Sequence, residues 1–213
     1  MILLDIETTD VTANACVLSL GALAFNPNGT LAELKDAPKF HCHVELGHQI
    51  RLGRDYSLST IRWLKGQPDA VRLNAAKSAV SRITLQEMVA KLSGWMNGLS
   101  DNPSNVHVRG MNFEGVILPN IEKQLGVRFP FNYSGYNDTR TLIRDYLDTD
   151  SSYVRDDALS EEAKEMIGML TKHVAIDDCI IDAIQIIEAR RIRNIRIYKE
   201  MHAKRDIIPG IKD

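Results

Sequence analysis

Met1-Ile2-Leu3-Leu4-Asp5-Ile6-Glu7-Thr8-Thr9-Asp10 is an apolar run that ends on two carboxylates two residues apart. In a strand, positions i and i+2 project to the same side. Asp5 and Glu7 would therefore point together from the end of a buried strand. Two like charges this close repel unless a cation sits between them. A hard divalent ion such as Mg²⁺ takes carboxylate oxygens and keeps part of its water shell. The stretch reads either as a metal site at the end of a central strand or as a strand running out into a polar turn. The decapeptide alone supports both.

Working outward, the first third of the chain is a strand meander. Ala15 to Phe25 is a second apolar run, and Asn26-Pro27-Asn28-Gly29 is a turn in which Pro fixes φ while Asn and Gly tolerate positive φ. Lys39 to Val44 gives a third strand, and tight turns at this spacing predict antiparallel pairing. Leu58 to Gln67 predicts a short helix with Ile61, Trp63 and Leu64 on its apolar side, ended by Gly66 and Pro68. Trp63 reads as core or groove wall rather than as a catalytic group. Thr84 to Leu99 is a longer amphipathic helix, with a Thr84/Glu87 capping box and a stripe of Leu85, Met88, Val89, Leu92, Trp95 and Met96.

Asn105 to Arg109 alternates like a strand, Gly110-Met111-Asn112 breaks it, and Phe113 to Leu125 predicts a helix ended by Gly126. Asn112, Phe113 and Glu114 then face whatever lies beyond the strand's carboxyl end. Val127 to Ser134 reads as strand or loop. Asp138-Thr139 caps a helix over 140–147, the polar stretch 148–157 reads as the most mobile loop, and Ser160 opens another helix. From Ala175 a helix runs to about Arg190, with Ile176, Ile180, Ile184 and Ile187 on one face. The basic tail from Arg190 to Arg205 reads as a solvated helix, a partner surface or a strand-binding patch.

The 213 residues suit one domain, 44% hydrophobic and 25% charged. With a net charge of −2, nucleic-acid binding needs a local basic face. Cys16, Cys42 and Cys179 show no paired metal spacing and suit buried thiols in a reducing compartment. No stretch reaches the ~18 apolar residues of a membrane span, and the N-terminus lacks the basic segment of a signal peptide. The cytoplasm is the expected location.

Carboxylates thus stand at element ends in three places: Asp5 with Glu7, Glu114, and Asp178 with Asp177. His173 lies five residues before Asp178. Four carboxylates converging from separate segments need cations, and two ions a few ångströms apart suit in-line phosphoryl displacement. A neutral histidine beside them can take a proton from water near pH 7.

In this order, Asp-x-Glu on the first strand, Asn-Phe-carboxylate at a helix start and His-x-x-x-x-Asp near the end resemble the DEDD 3′-5′ exonucleases, in the branch with a histidine base. Ser59-Thr60-Ile61-Arg62-Trp63-Leu64-Lys65-Gly66-Gln67 is similar to the Ser-Thr-Ile-x-Trp-Trp-x-x-Gln segment of the phage DNA exonuclease A type and related bacterial exoribonucleases. Arg109-Gly110-Met111-Asn112-Phe113-Glu114 resembles their Arg-Gly-Met-Ser-Phe-Asp, and Asp138-Thr139-Arg140-Thr141 their Asp-x-Arg-Thr. The matches span residues 1 to about 188.

The resemblance implies an RNase H-like α/β fold, a mixed five-stranded sheet flanked by helices, as one exonuclease domain over 1–213 with a basic helical tail from about 190. It implies two Mg²⁺ or Mn²⁺ ions on Asp5, Glu7, Glu114 and Asp178, and His173 as general base. Thr8, Thr9, Asn112, Phe113, Trp63 and Asp138 are the expected substrate contacts. The expected substrate is a single-stranded 3′ end, DNA before RNA, released as nucleoside 5′-monophosphates; a homodimer is one option for assembly. Glu114 replaces the family's Asp, and Asp10 the frequent glycine. An inactive nucleic-acid-binding module, or a structural domain whose carboxylates are caps, are the rival readings.

Overall fold

In the computed structural model, which describes residues 1–100 and 105–205, the elements run in the order the sequence predicts, with additions. They are β1 (Ile2–Thr8), β2 (Val17–Ala24), α1 (Leu31–Lys35), β3 (Lys39–His43), α2 (Leu46–Arg51), α3 (Leu58–Lys65) and α4 (Asp69–Val80). There follow α5 (Leu85–Asn97), β4 (Val106–Val108), α6 (Glu114–Leu125), β5 (Tyr136–Asp138), α7 (Thr139–Leu147), α8 (Glu161–Gly168) and α9 (Ala175–Arg205). The strands form one mixed five-stranded sheet in the order β3-β2-β1-β4-β5. β1 pairs antiparallel with β2, β2 antiparallel with β3, and β1 and β5 flank β4 in parallel. This is the expected RNase H-like α/β arrangement, with β1 at its centre.

Because β1 alternates, its two faces meet different cores. Ile2, Leu4 and Ile6 pack with the α5 stripe and with Ile117, Leu118 and Ile121 of α6. Leu3 packs on the other face with Leu23, Ile143 and the apolar side of α9. Asp5 and Glu7 share that second face, so they lie under the start of α9. Thr84 and Glu87 form the predicted capping box of α5, and Gly126 ends α6 in the left-handed region at φ 66°.

Three helices were not expected. α1 and α2 are too short to show a period. α4 lacks an apolar stripe because its inward positions include Asn74 and Ser78. Asn74 bonds His43 at 2.9 Å, and the Ser78 hydroxyl donates to the Val44 carbonyl. The fifth strand lies at Tyr136–Asp138 rather than within 127–134, and its last residue doubles as the cap of α7.

The final helix runs without a break from Ala175 to Arg205, and arginines from its middle onward bond to the body. Arg190 donates to Asn28 and Gly29, Arg191 to Glu188 and Ala158, and Arg196 to the Leu147 carbonyl. Arg193 lies 5.4 Å over the Tyr146 ring. Half of the supposed basic patch is therefore structural, and residues 206–213 of the expected tail lie outside the described residues. The polar stretch 148–157, expected to be the most mobile loop, is anchored too. Val154 is buried and donates its N–H to Gln185, and Tyr153 lies under the Arg109 guanidinium. The three cysteines are free and buried, as expected.

Candidate active site

The site is built where α9 crosses the sheet. A Cβ on Gly21 would lie 2.5 Å from the backbone of Ala175 and Ile176. Only glycine lets the start of α9 come this close, and Gly21 pairs directly with Asp5 in the sheet. The Cys179 thiol faces the Gly21 carbonyl at 3.5 Å. This contact seats Asp178, on the first turn of α9, over the carboxyl end of β1. A register shift between Glu7 and Thr8 marks the same strand end.

Ligand atoms of Glu7, His173 and Asp178 lie within 4.8 Å of one another. Asp5 stands beside them, and its Oδ2 is buried with no hydrogen-bond partner. Burial pushes the Asp5 carboxyl up, reinforced by Glu7, Glu114, Asp178 and Asp182. Glu7 is pushed up to about 8 by burial, then by Asp178 and Glu114. Asp178 rises to about 6, burial outweighing the N–H that His173 donates to its Oδ2 at 2.9 Å. So much negative charge without compensation fits the donor set of a hard divalent cation.

His173 takes a left-handed backbone, φ 66°, just before α9. Its exposed ring meets Trp63 edge to face at 4.9 Å. Burial, then Lys172, lower its pKa. Trp63 itself is 45% exposed, a groove wall rather than core. It lines a cleft of about 390 Å³ with Glu7, Thr8, Asp10, Ser59, Thr60 and Phe113.

The other expected site residues fall as follows. Thr8 reaches the cleft and donates to the Asp10 carbonyl at 2.5 Å. Thr9 is turned away: its hydroxyl donates to the Asp55 and Cys16 carbonyls, and it borders a separate apolar groove. Asn112 is exposed on the loop before α6. Asp138 accepts the Thr141 N–H at 2.8 Å as the cap of α7. Glu114 is buried at the first turn of α6, where its Oε2 accepts the Gly110 N–H at 3.1 Å. Burial lifts Glu114 to about 7, and it is close enough to perturb both Asp5 and Glu7.

The sequence pattern of the Rv2179c-like 3′-5′ exoribonuclease domain matches residues 1–188. The chain belongs to that family. It is a 3′-5′ exonuclease, and its substrate is nucleic acid. An exodeoxyribonuclease of Enterobacteria phage T4 is 27% identical, over 89% of this chain and 88% of the relative. The crystal structure of cell-death related nuclease 4 superposes with a TM-score of 0.56 at 16% identity, over 91% of this chain. The exonuclease spans 63% of the length of that nuclease, and the likeness is one of fold. No helix among the described residues is long and apolar enough to cross a membrane.

One carboxylate of the exonuclease escaped the sequence reading. Asp182 lies one helical turn beyond Asp178 and is 7% exposed. It accepts from Arg109 at 2.5 Å and from the Thr139 hydroxyl at 3.2 Å. Arg109 also donates to the Ser152 carbonyl at 3.0 Å. The pair joins the loop before α6 to the helix that carries Asp178. The signal was the i, i+4 spacing of Asp178 and Asp182 on one helix face, set among isoleucines.

Two predictions arise here. Gly21→Ala should lower the melting temperature, since overpacking costs about 1–3 kcal/mol, and should weaken nucleotide release by lifting Asp178 off the strand end. A variant that melts and works as the parent does would show that the close crossing is dispensable. The second concerns pH. The carboxyls of Glu7, Glu114 and Asp178 titrate higher in the fold than in the unfolded chain. Their contribution to stability is full below about pH 4 and is lost as pH rises through about 6 to 8. Chelated exonuclease should therefore lose melting temperature across that window, and saturating Mg²⁺ should flatten the loss. A chelated profile that rises from pH 5 to 8 would contradict the cluster.

Proposed function

We propose that the protein is a DEDD-type, divalent-metal-dependent 3′-5′ exonuclease acting on single-stranded ends, one exonuclease domain over 1–213 with a basic helical tail from about 190. The convergence of Glu7, His173 and Asp178 within 4.8 Å, beside the orphaned Asp5 Oδ2, carries the reading. Asp5, Glu7 and Asp178 would hold Mg²⁺ or Mn²⁺, and Glu114 would serve the shell of a second ion. A divalent pair supplies charge neutralisation at the scissile phosphate and a more acidic attacking water.

The remaining work falls to side chains. His173 takes the proton of the attacking water; its lowered pKa keeps the ring neutral near pH 7. The Trp63 indole, held edge-on to that ring, limits its swing and offers a face to the terminal base. Phe113 offers a second apolar surface across the cleft. The products are nucleoside 5′-monophosphates. Release of these from a 3′-labelled oligonucleotide, with and without chelator, tests the reading; release that persists without divalent ions would end it.

Glu114 departs from the family's Asp, and its N–H bond from Gly110 also suits a residue that only closes the turn. As a metal-site residue it gives a distinct pattern. Glu114→Gln should cut turnover strongly, and Glu114→Asp should retain much of it. If Glu114 only caps the helix, Gln should cost under about 1 kcal/mol of stability and leave turnover unchanged. Nucleotide release and melting curves of both variants separate the two.

A further inference from the structure

We propose that Arg109 and Asp182 are positioning residues: their ion pair sets where Glu114 stands relative to Asp178, and so whether a second divalent ion is held. This deepens the proposed reading and rests on it. Glu114 and Asp178 lie at the starts of helices that pack on opposite faces of the sheet, α6 against Ile2, Leu4 and Ile6, α9 against Leu3 and Leu23. No shared core therefore fixes the gap between the two carboxylates. Among the described residues, the side-chain link from the turn before α6 to α9 is Arg109 with Asp182.

Each end of this link runs into a site carboxylate. On one side, the residue after Arg109 holds Glu114. The Gly110 N–H donates to Glu114 Oε2 at 3.1 Å, and the Glu114 N–H donates to the Gly110 carbonyl at 3.0 Å. On the other side, Asp182 stands one turn along the same continuous helix from Asp178. The Arg109 guanidinium is itself held. It lies 3.6 Å over the Tyr153 ring and donates to the Ser152 carbonyl at 3.0 Å. Both oxygens of Asp182 are committed, Oδ1 to Arg109 and Oδ2 to the Thr139 hydroxyl. Asp182 is thus a fifth carboxylate that faces protein donors, although it is close enough to perturb Asp5, Glu114 and Asp178. A buried ion pair adds little net stability over an apolar replacement of similar volume. What this one supplies is a fixed geometry between two segments that carry metal ligands. Groups that orient metal ligands are typically worth about 10–100-fold in metal affinity or activity.

The test titrates Mn²⁺ into the chelator-stripped full chain with saturating thymidine 5′-monophosphate and reads free Mn²⁺ by electron paramagnetic resonance. The parent should hold two ions of unequal affinity. Arg109→Met should weaken the weaker ion by about tenfold or more and leave the tighter one, on Asp5, Glu7 and Asp178, within about twofold. In a Glu114→Gln background the same substitution should cost less than about twofold, because the residue it acts through is already lost. Asp182→Asn keeps an oxygen for Arg109 and a polar contact for Thr139, so it should stay near the parent. Arg109→Met leaves Asp182 unpaired and should lower the melting temperature. Arg109→Lys, which keeps the charge, is therefore measured beside it, should show a smaller loss of the same ion, and carries the test if Arg109→Met does not fold. Parental affinities in both Arg109 variants, equal losses with and without Glu114, or loss of both ions in step overturn the inference. So does a Glu114→Gln protein that keeps both ions, or a parent that holds only one. A loss in Asp182→Asn as large as in Asp178→Asn would make Asp182 a ligand and also overturns it. In each of these cases the metal-dependent exonuclease reading stands. A parent that binds no Mn²⁺ and still releases nucleotides in chelator would remove the proposed mechanism itself, and the inference with it.

Discussion

Asp178→Asn and Asp5→Asn should each lower nucleotide release by about 10³-fold or more in saturating Mg²⁺. Losing a ligand that shapes the metal site removes several kcal/mol of transition-state stabilisation, and each 1.36 kcal/mol is a factor of ten. Asparagine is preferred to alanine because Asp178 also accepts the His173 N–H at the start of α9. The amide keeps that bond, so lost turnover cannot be assigned to a lost helix cap. Charge explains the second half of the result. Burial first, and then four neighbouring carboxylates, raise the pKa of Asp5, so removing one charge from the cluster relieves repulsion. The metal-free variants should therefore melt above the metal-free parent, while gaining less from added Mg²⁺. Near-normal turnover in either variant would show that the ion, if present, is held elsewhere.

His173→Ala should cost roughly 10²–10⁴-fold in turnover, the usual worth of a positioned base. The distinction to be made is base against ligand, since the ring lies within ligand distance of Glu7 and Asp178. As a base, His173 leaves the Mg²⁺ dependence of activity nearly unchanged when removed. The acidic limb of the wild-type pH–rate profile should lie below the ordinary histidine value, because burial and Lys172 disfavour the imidazolium, and that limb should vanish in the variant. A loss of Mg²⁺ affinity as large as that of Asp178→Asn would make His173 a ligand. Trp63→Phe is a useful companion: it keeps an aromatic edge for the ring, so base function should survive better than in His173→Ala.

The elements that carry the chemistry were legible because their signals are local. The i, i+2 spacing of Asp5 and Glu7 at the end of an apolar run put them on one strand face, and the structure has β1 at the centre of the sheet. The capping box at Thr84, the strand-turn-helix at 106–125 and the Asp138 cap are each written within a few residues. The order of the acidic motifs was likewise a property of the chain alone. What the sequence did not reveal was where those motifs meet. Gly21 looked like one small residue in an apolar run, yet it decides how close α9 comes to β1. Asp182 looked like one more acid on a helix until Arg109, 73 residues away, was placed against it. α4 was invisible because its inward face bonds to β3 and the residue after it through Asn74 and Ser78 instead of showing an apolar period. Arg190, Arg191 and Arg196 read as free charge on the chain, yet they are satisfied by carbonyls from distant segments. Periodicity and capping depend on neighbours three or four residues apart, so the chain itself displays them. Close backbone approach, long-range ion pairs and shared electrostatic repulsion exist only once packing has set the distances.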